Sequence, residues 1–133
     1  MGVISRIQRS THLIGRHLAS ALADVGVDQA EAHVLSALAA GPASVGALVE
    51  TLGVKRSTLT NILDRLERRG LVRREINPAD RRSFLVCPTT GGKRAARKVA
   101  TRFAAVDAEL ARRTTAQERQ AFETVLTRLE ELV

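Results

Sequence analysis

Between positions 55 and 69, hydrogen-bonding side chains recur at the spacing of one helix face. The buried stripe of this helix would be formed by Leu59, Ile62, Leu63 and Leu66. The opposite, polar face would carry Arg56, Ser57, Thr60, Asn61, Asp64, Arg65 and Arg68. Arginine can bind guanine through two hydrogen bonds and asparagine can bind adenine in the same way, while serine and threonine reach base edges or phosphates. The pattern predicts a helix that enters the major groove of DNA.

Two neighbouring features predict further contacts with DNA. Lys55 would stand in the first turn of this helix, where a cation opposes the helix dipole by about 0.3 to 1 kcal/mol and a docked phosphate would offset that cost. Farther along, Arg81 and Arg82 follow the turn-forming residues Asn77 and Pro78. Guanidinium groups on such a tip suit the narrow minor groove, and Asp80 would orient one of them. The alternative interpretation of the tip is a solvated surface loop with a local ion pair.

No other set of side chains forms a recognisable catalytic, cofactor or metal site. His12 and His17 are five residues apart and so do not share a helix face, and no cluster of cysteines or carboxylates has ligand spacing. The segment 91–93, Gly-Gly-Lys, lacks the longer loop that cradles phosphates. Cys87 is either a redox sensor or a small side chain at the end of a strand. We therefore expect a binding protein, not an enzyme, with no cofactor and no metal.

Apolar periodicity and turn residues predict the elements that position these side chains. Asp28 with Glu31 and Thr115 with Glu118 have the spacing of capping boxes. Six helices are expected, over about 2–24, 28–40, 44–52, 55–69, from 89 or 90 through 110, and from 115 onward. Segments 71–76 and 83–87 predict a two-stranded β-hairpin around a tip at 77–82. The third and fourth helices, joined by a turn at Gly53, form a helix-turn-helix with this hairpin as its wing. The expected fold class is mainly α.

Charge is concentrated in the middle of the chain. The formal net charge of the 133 residues is +7, and the segment 55–82 holds nine Lys and Arg against four Asp and Glu. Such a field points first to nucleic acid and second to an anionic membrane surface. No apolar run approaches the roughly 20 residues of a membrane span, and a single cysteine excludes an intrachain disulfide framework. These features favour a cytoplasmic protein and no membrane partner.

Three segments together resemble the MarR (multiple-antibiotic-resistance regulator) family of bacterial transcription factors, a resemblance that covers nearly the whole chain. Residues 54–72, from Val54 to Val72, resemble the recognition helix and the entry into the wing. Asp80-Arg81-Arg82 resembles the wing-tip motif Asp-x-Arg, and Thr89-Thr90-Gly91-Gly92 resembles the start of the fifth helix. The resemblance implies an obligate dimer that binds a pseudo-palindromic operator with one recognition helix and one wing per subunit.

The resemblance also implies roles for individual residues and segments. Arg56, Ser57, Thr60 and Asn61 would contact the groove, and Arg65 would contact a phosphate. Arg82 would be the wing arginine, supported by Asp80. The expected organisation is an N-terminal dimerisation helix at 1–27, a DNA-binding lobe at 28–88, and C-terminal dimerisation helices at 89–133. The apolar seams of these end segments would form the dimer interface through Ile7, Ile14, Leu18, Phe122, Leu126 and Leu129. His12 and His17 could line a ligand cleft.

The leading hypothesis is a sequence-specific homodimeric regulator of double-stranded DNA, a repressor in preference to an activator. Release of DNA by a small-molecule effector is part of that hypothesis. A second hypothesis is an architectural DNA-binding protein that binds by charge alone, without preferred sequence. A third, a helical protein-interaction module, would explain the apolar seams and leave the wing arginines without a role.

Overall fold

The computed structural model describes all 133 residues and contains six helices and three short strands. The helices and strands are α1 (Val3–Ala21), α2 (Gln29–Ala37), β1 (Ala43–Ser44), α3 (Val45–Leu52), α4 (Arg56–Arg68), β2 (Val72–Asn77), β3 (Asp80–Pro88), α5 (Thr90–Arg113) and α6 (Ala116–Glu130). The predicted mainly α fold with a winged helix-turn-helix is confirmed. The chain divides into two units, residues 1–102 and 103–133. None of the helices combines the length and the apolar character needed to cross a membrane.

Local capping fixes where several helices begin. At α2, the Glu31 N–H donates to Asp28 Oδ1 at 2.8 Å and the Asp28 N–H donates to Glu31 Oε1 at 3.1 Å. This reciprocal pair is the predicted capping box, and Thr115 with Glu118 forms the second one at α6. The backbone N–H of Thr115, followed by its side chain, holds the pKa of the Glu118 carboxyl below its usual value. Because both capping boxes form as predicted, residue type and spacing are sufficient to locate the starts of α2 and α6.

The core of the first unit is aliphatic and centres on α4. The four residues predicted for its inner stripe, Leu59, Ile62, Leu63 and Leu66, are all buried. They pack in a core with the fully buried residues Leu22, Val34, Leu35, Leu38, Leu48, Val72, Val86 and Val99. Each such side chain contributes about 1.5 to 3 kcal/mol by leaving water. This burial leaves the polar face of α4 in solvent.

The sheet has three strands, which corrects the two-stranded prediction. Its order is β1-β3-β2, and the two residues of β1 pair antiparallel with Val86 and Leu85 of β3. Ser44 is both the end of β1 and the N-cap of α3, where its hydroxyl accepts from the Ala47 N–H at 3.1 Å. A strand of two residues has no alternation pattern, so its pairing could not be inferred from periodicity.

The tip of the wing is tighter than predicted. β2 continues to Asn77 and β3 starts at Asp80, so only Pro78 and Ala79 form the turn. The Asn77 side chain accepts a hydrogen bond from the Ala79 N–H at 3.0 Å, which stabilises this turn locally. Arg81 and Arg82 therefore lie at the start of β3 and not within a six-residue tip.

The start of α5 is held against the root of the wing by a close backbone approach. A Cβ atom on Gly92 would overlap the carbonyl oxygen of Leu71, so only glycine fits there. Thr89 strengthens the junction, because its hydroxyl donates to the Gly70 carbonyl at 2.6 Å and accepts from the Gly92 N–H at 3.1 Å. The wing root and the start of α5 are thus packed against each other.

The only cysteine lies inside this arrangement. Cys87 is 2% exposed on β3, next to the last residue of the strand. Burial, with a further contribution from the Glu75 carboxylate, raises the pKa of the Cys87 thiol. A buried neutral thiol is a poor nucleophile, so the structure favours the packing role over the sensor role.

We expect Cys87 to react slowly with iodoacetamide in the native protein at neutral pH and rapidly in concentrated urea. Because the folded pKa is raised, the native rate should keep increasing at alkaline pH where an ordinary thiol has levelled off. Mass spectrometry of the alkylated protein measures both rates. Ala19→Cys in a Cys87→Ser background supplies an exposed control thiol, and native labelling of Cys87 at the control rate would contradict the prediction.

Candidate nucleic-acid interface

The N-terminus of α4 has no side-chain cap. Lys55 occupies the N-cap position, one residue before the predicted first turn, and makes no capping hydrogen bond. The first turn contains no acidic residue, in contrast to α2 and α6, whose first turns contain Glu31 and Glu118. The free backbone N–H groups and the exposed ammonium group make this helix end attractive to a phosphate.

The outer face of α4 presents unpartnered hydrogen-bonding groups. Arg56, Ser57 and Asn61 are exposed, and their side chains have no partner within the chain. Thr60 is also exposed, but its hydroxyl donates to the Arg56 carbonyl at 2.9 Å. Its hydroxyl proton is therefore engaged and its oxygen is left to accept, which narrows the role predicted for it. The face therefore offers both hydrogen-bond donors and hydrogen-bond acceptors to a groove.

Two arginines in the C-terminal half of α4 have partners on α2. Arg65 Nη2 lies 3.3 Å from Asp28 Oδ2, the N-cap residue of α2. Arg69 Nη1 lies 2.8 Å from Glu31 Oε2. The family resemblance implied a phosphate contact for Arg65, and without DNA the structure pairs it with a carboxylate 37 residues away. Neither partner could be identified from local spacing.

The wing is tied to α4 by Arg74, a residue that the sequence analysis did not single out. Arg74 Nη2 lies 2.7 Å from Asp64 Oδ1, and Arg74 Nε lies 3.2 Å from Glu67 Oε2. The two carboxylates are three residues apart and so share a helix face. Two carboxylates at that spacing, close in sequence to a basic strand, are the feature from which this contact could have been predicted. The contact fixes the wing relative to the recognition face.

At the wing tip, Asp80 contacts Arg82. Asp80 Oδ1 accepts from the Arg82 backbone N–H at 3.1 Å and lies 3.5 Å from Arg82 Nε. The Arg82 side chain is nevertheless 95% exposed, and that of Arg81 has no partner. Behind the tip, Ile76 and Phe84 form an exposed cross-strand pair that stabilises the hairpin. The tip therefore projects two cations from a braced hairpin.

The residues predicted for the dimer interface differ in exposure. Ile14 and Phe122 are 51% and 56% exposed, and Ile7, Leu126 and Leu129 are half-buried. Leu18 is 8% exposed and belongs to the core of its own chain, so little of it remains for a partner. In the second unit, α6 buries none of its residues. The end helices thus carry apolar surface without cover.

The histidines named for a ligand cleft lie on exposed positions of α1. His12 Nδ1 is 2.9 Å from the Gln8 carbonyl, and His17 is exposed five residues later. No three metal-ligating side chains lie together. A cavity of about 340 Å³ lies elsewhere, between the end of α2, the wing root and α5. Its walls include Leu38, Pro42, Arg73, Cys87, Lys93, Ala96 and Arg97, and neither histidine borders it.

Sequence comparison relates the central part of the chain to known regulators. A family model described as MarR family matches residues 25–83. The chain is 36% identical over 84 residues to YcgE of Bacillus subtilis (strain 168), an uncharacterized HTH-type transcriptional regulator, and this match covers 63% of the chain and 53% of the relative. It is 37% identical over 76 residues to the transcriptional regulator HosA of Escherichia coli O111:H-, which covers 57% and 56%. The chain thus matches about half the length of these curated relatives.

Structural comparison extends the likeness to nearly the whole chain. MarR from E. coli in its apo form superposes with a TM-score of 0.76 at 28% identity over 97% of both chains. A mutant E. coli MarR complexed with operator DNA gives 0.78 at 28% identity over 97% of this chain and 99% of that one. MepR from S. aureus, in a DNA complex, gives 0.90 at 18% identity over 100% and 99%, which shows the shared fold.

The two curated relatives are transcriptional regulators and not enzymes. The family model covers the helix-turn-helix and most of the wing, and the structural likeness to E. coli MarR covers the helices on either side. Residues 25–83 therefore match the MarR family, and the chain as a whole has the fold of E. coli MarR.

Proposed function

We propose that the protein is a sequence-specific transcription regulator that acts in the cytoplasm and binds double-stranded DNA as a homodimer. The observation that carries the proposal is the exposed face of α4, where Arg56, Ser57 and Asn61 have no partner within the chain. Polar groups left unpaired in this way at the surface suit base edges in the major groove. The E. coli MarR solved with operator DNA has the same fold over nearly the whole chain.

The interface divides into groups that recognise bases and groups that hold the backbone. Arg56 and Asn61 would bind base edges, with Ser57 and Thr60 beside them. Lys55 would bind a phosphate at the start of α4, and Arg65 could exchange Asp28 for a second phosphate because that pair is exposed. The two wing arginines would enter the minor groove.

Dimerisation would account for the uncovered apolar surface of the end helices. α1 and α6 expose Ile14 and Phe122, and α6 buries nothing within its own chain. A second copy would cover these side chains through a two-fold interface. A two-fold dimer presents two recognition helices to DNA, so we propose a pseudo-palindromic operator. Operator binding alone can block a promoter, so we propose repression as the outcome.

A small-molecule effector is the third part of the proposal. The cavity of about 340 Å³ has apolar walls, and three cations, Arg73, Lys93 and Arg97, stand at its surface with no acidic residue among its lining. Of these, Lys93 and Arg97 have no partner, whereas Arg73 lies 2.9 Å from Glu75. An organic anion with an apolar body would suit this lining. Since the wing root forms one wall, its binding would disturb the wing and lower DNA affinity.

The architectural alternative requires only the positive charge of the lobe. Sequence-dependent binding therefore distinguishes the proposed regulator from an architectural protein. We expect Asn61→Ala to weaken binding to the protein's own upstream DNA by about 5- to 150-fold, corresponding to about 1 to 3 kcal/mol for a lost bidentate contact. Binding to scrambled DNA should not change. Fluorescence anisotropy across a salt series measures both affinities.

Lys55→Ala is the matched variant for a phosphate contact. It should weaken binding to upstream DNA and to scrambled DNA by the same factor, and lower the slope of log affinity against log salt by about 0.9. A ratio near one between upstream and scrambled DNA for the unmodified protein would reject the proposal in favour of the architectural alternative.

Phe122→Glu should convert the dimer to a folded monomer and abolish detectable operator binding. The side chain is 56% exposed in the single chain, so the charge disturbs a partner contact and not the chain's own core. Sedimentation equilibrium gives the oligomeric state. Phe84→Glu, at a residue 51% exposed on the wing, is the control that should remain dimeric. A dimeric Phe122→Glu protein would contradict the assigned interface.

Benzoate serves as a probe of the cavity. We expect benzoate to raise the Tm of the free protein by a few degrees, because it binds the folded state. It should also lower operator affinity, because it disturbs the wing. Arg97→Ala should reduce both effects, whereas Lys98→Ala, which removes a cation outside the cavity, should retain them. Benzyl alcohol, the uncharged analogue, should have little effect. A response of Arg97→Ala to benzoate equal to that of the unmodified protein would contradict the cavity assignment.

A further inference from the structure

Glu31 is the only charged residue that the chain buries. Its side chain is 6% exposed, and Arg69 Nη1 lies 2.8 Å from its Oε2 atom. Its other oxygen, Oε1, accepts the Asp28 N–H at 3.1 Å. Both oxygens therefore have partners, as a buried carboxylate requires, and Arg69 is the cation that neutralises it.

The same guanidinium binds the turn between α1 and α2. Arg69 Nη2 donates to the carbonyl oxygen of Gly26, whose positive φ of 78° lies in that turn. Arg69 is also the C-cap residue of α4. One side chain thus joins the end of α4 to the turn and to the first turn of α2. We refer to Arg69, Glu31 and Gly26 as the clamp.

The neighbouring pair on α4 shows the contrast. Arg65 and Asp28 are 42% and 56% exposed in their side chains, so a phosphate can replace Asp28 beside Arg65 at little cost, and water can then solvate the Asp28 carboxylate. Arg69 could move to a phosphate only by leaving Glu31 charged, buried and unpaired, which is strongly unfavourable. The Arg69 side chain is itself 42% exposed, as that of Arg65 is, so the contrast between the two pairs lies in the burial of Glu31.

We propose that Arg69 is a positioning residue for DNA recognition, which fixes the orientation of α4 relative to α1 through Glu31 and the Gly26 carbonyl. The proposal rests on the proposed function, in which α1 belongs to the dimer interface and α4 enters the groove. Two half-sites are separated by about one helical turn of DNA, roughly 34 Å. The angle between α1 and α4 sets the spacing of the recognition helices. The clamp thereby controls which operator spacing is accepted, without touching DNA.

The first test compares operators with the natural half-site spacing and with one base pair added or removed. The variants are Arg69→Ala, Glu31→Gln and the double variant. Each single variant should lose about tenfold or more of the preference for natural spacing, and the double variant should lose no more than the worse single one, because both break one unit. The salt slope should stay unchanged in Glu31→Gln. Glu50→Gln removes an exposed, unpartnered glutamate from the same lobe and should retain the preference.

A phosphate contact by Arg69 predicts a different result. In that case Arg69→Ala would lower the salt slope by about 0.9 and Glu31→Gln would keep the wild-type preference. That combination would overturn the proposal. Circular dichroism establishes that each variant is folded. Where Arg69→Ala is not folded, Arg69→Lys takes its place, since one ammonium group cannot span both acceptors as the guanidinium does.

A second measurement needs no DNA. Spin labels at Ala19→Cys on α1 and Thr58→Cys on α4, in a Cys87→Ser background and diluted with unlabelled protein, report the α1–α4 distance within one chain. We expect a narrow distribution in the parent and in Glu50→Gln, and a broader one in both clamp variants. An unchanged distribution in the clamp variants overturns the positioning role. Broadening in protein that shows no operator preference would support the clamp and reject the proposed function.

Discussion

The candidate interface depends first on the burial of one apolar stripe of α4. Leu59, Ile62, Leu63 and Leu66 all lie in the core, and the helical repeat then places the residues of the opposite face in solvent. Rotation of α4 about its axis would expose leucines and bury arginine or asparagine, each at a large cost. The packing that stabilises the lobe and the orientation of the polar face are therefore one constraint. The wing and the N-terminal end of α4 acquire their positions from it.

Charge in this region has two distinct uses. Arg69 and Arg74 neutralise carboxylates on α2 and α4, so they connect elements of the lobe. Lys55, Arg56 and Arg81 have no such partners and remain free for an external anion. The acidic residues between them do not merely weaken the positive field. They select which cations are structural, so net charge alone is a poor guide to the DNA-contacting residues.

The wing connects the two faces of the lobe. Successive residues of β2 point to opposite sides of the sheet, so Arg74 contacts Asp64 on α4 while Arg73 borders the cavity beside α5. At its root, the close approach of Gly92 to Leu71 packs the start of α5 against the wing. A molecule that filled the cavity would act on the strand whose other face braces α4. The proposed effector would therefore contact the same strand, β2, that contacts the DNA-binding helix.

The sequence alone determined the features that depend on near neighbours. The stripe of α4, the capping boxes at Asp28 and Thr115, and the hairpin all follow from residue types a few positions apart, and these local patterns also sufficed for the family resemblance. Tertiary structure decided what depends on distant contacts: the pairing of β1 with β3, the burial of Leu18, and the partners of Arg65 and Arg69 some 37 and 38 residues away. The wing turn was shorter than predicted because strand pairing extended to Asn77 and Asp80. The physical reason is that helix periodicity and capping act within one or two turns, whereas an ion pair or a cavity exists only once separate segments have packed.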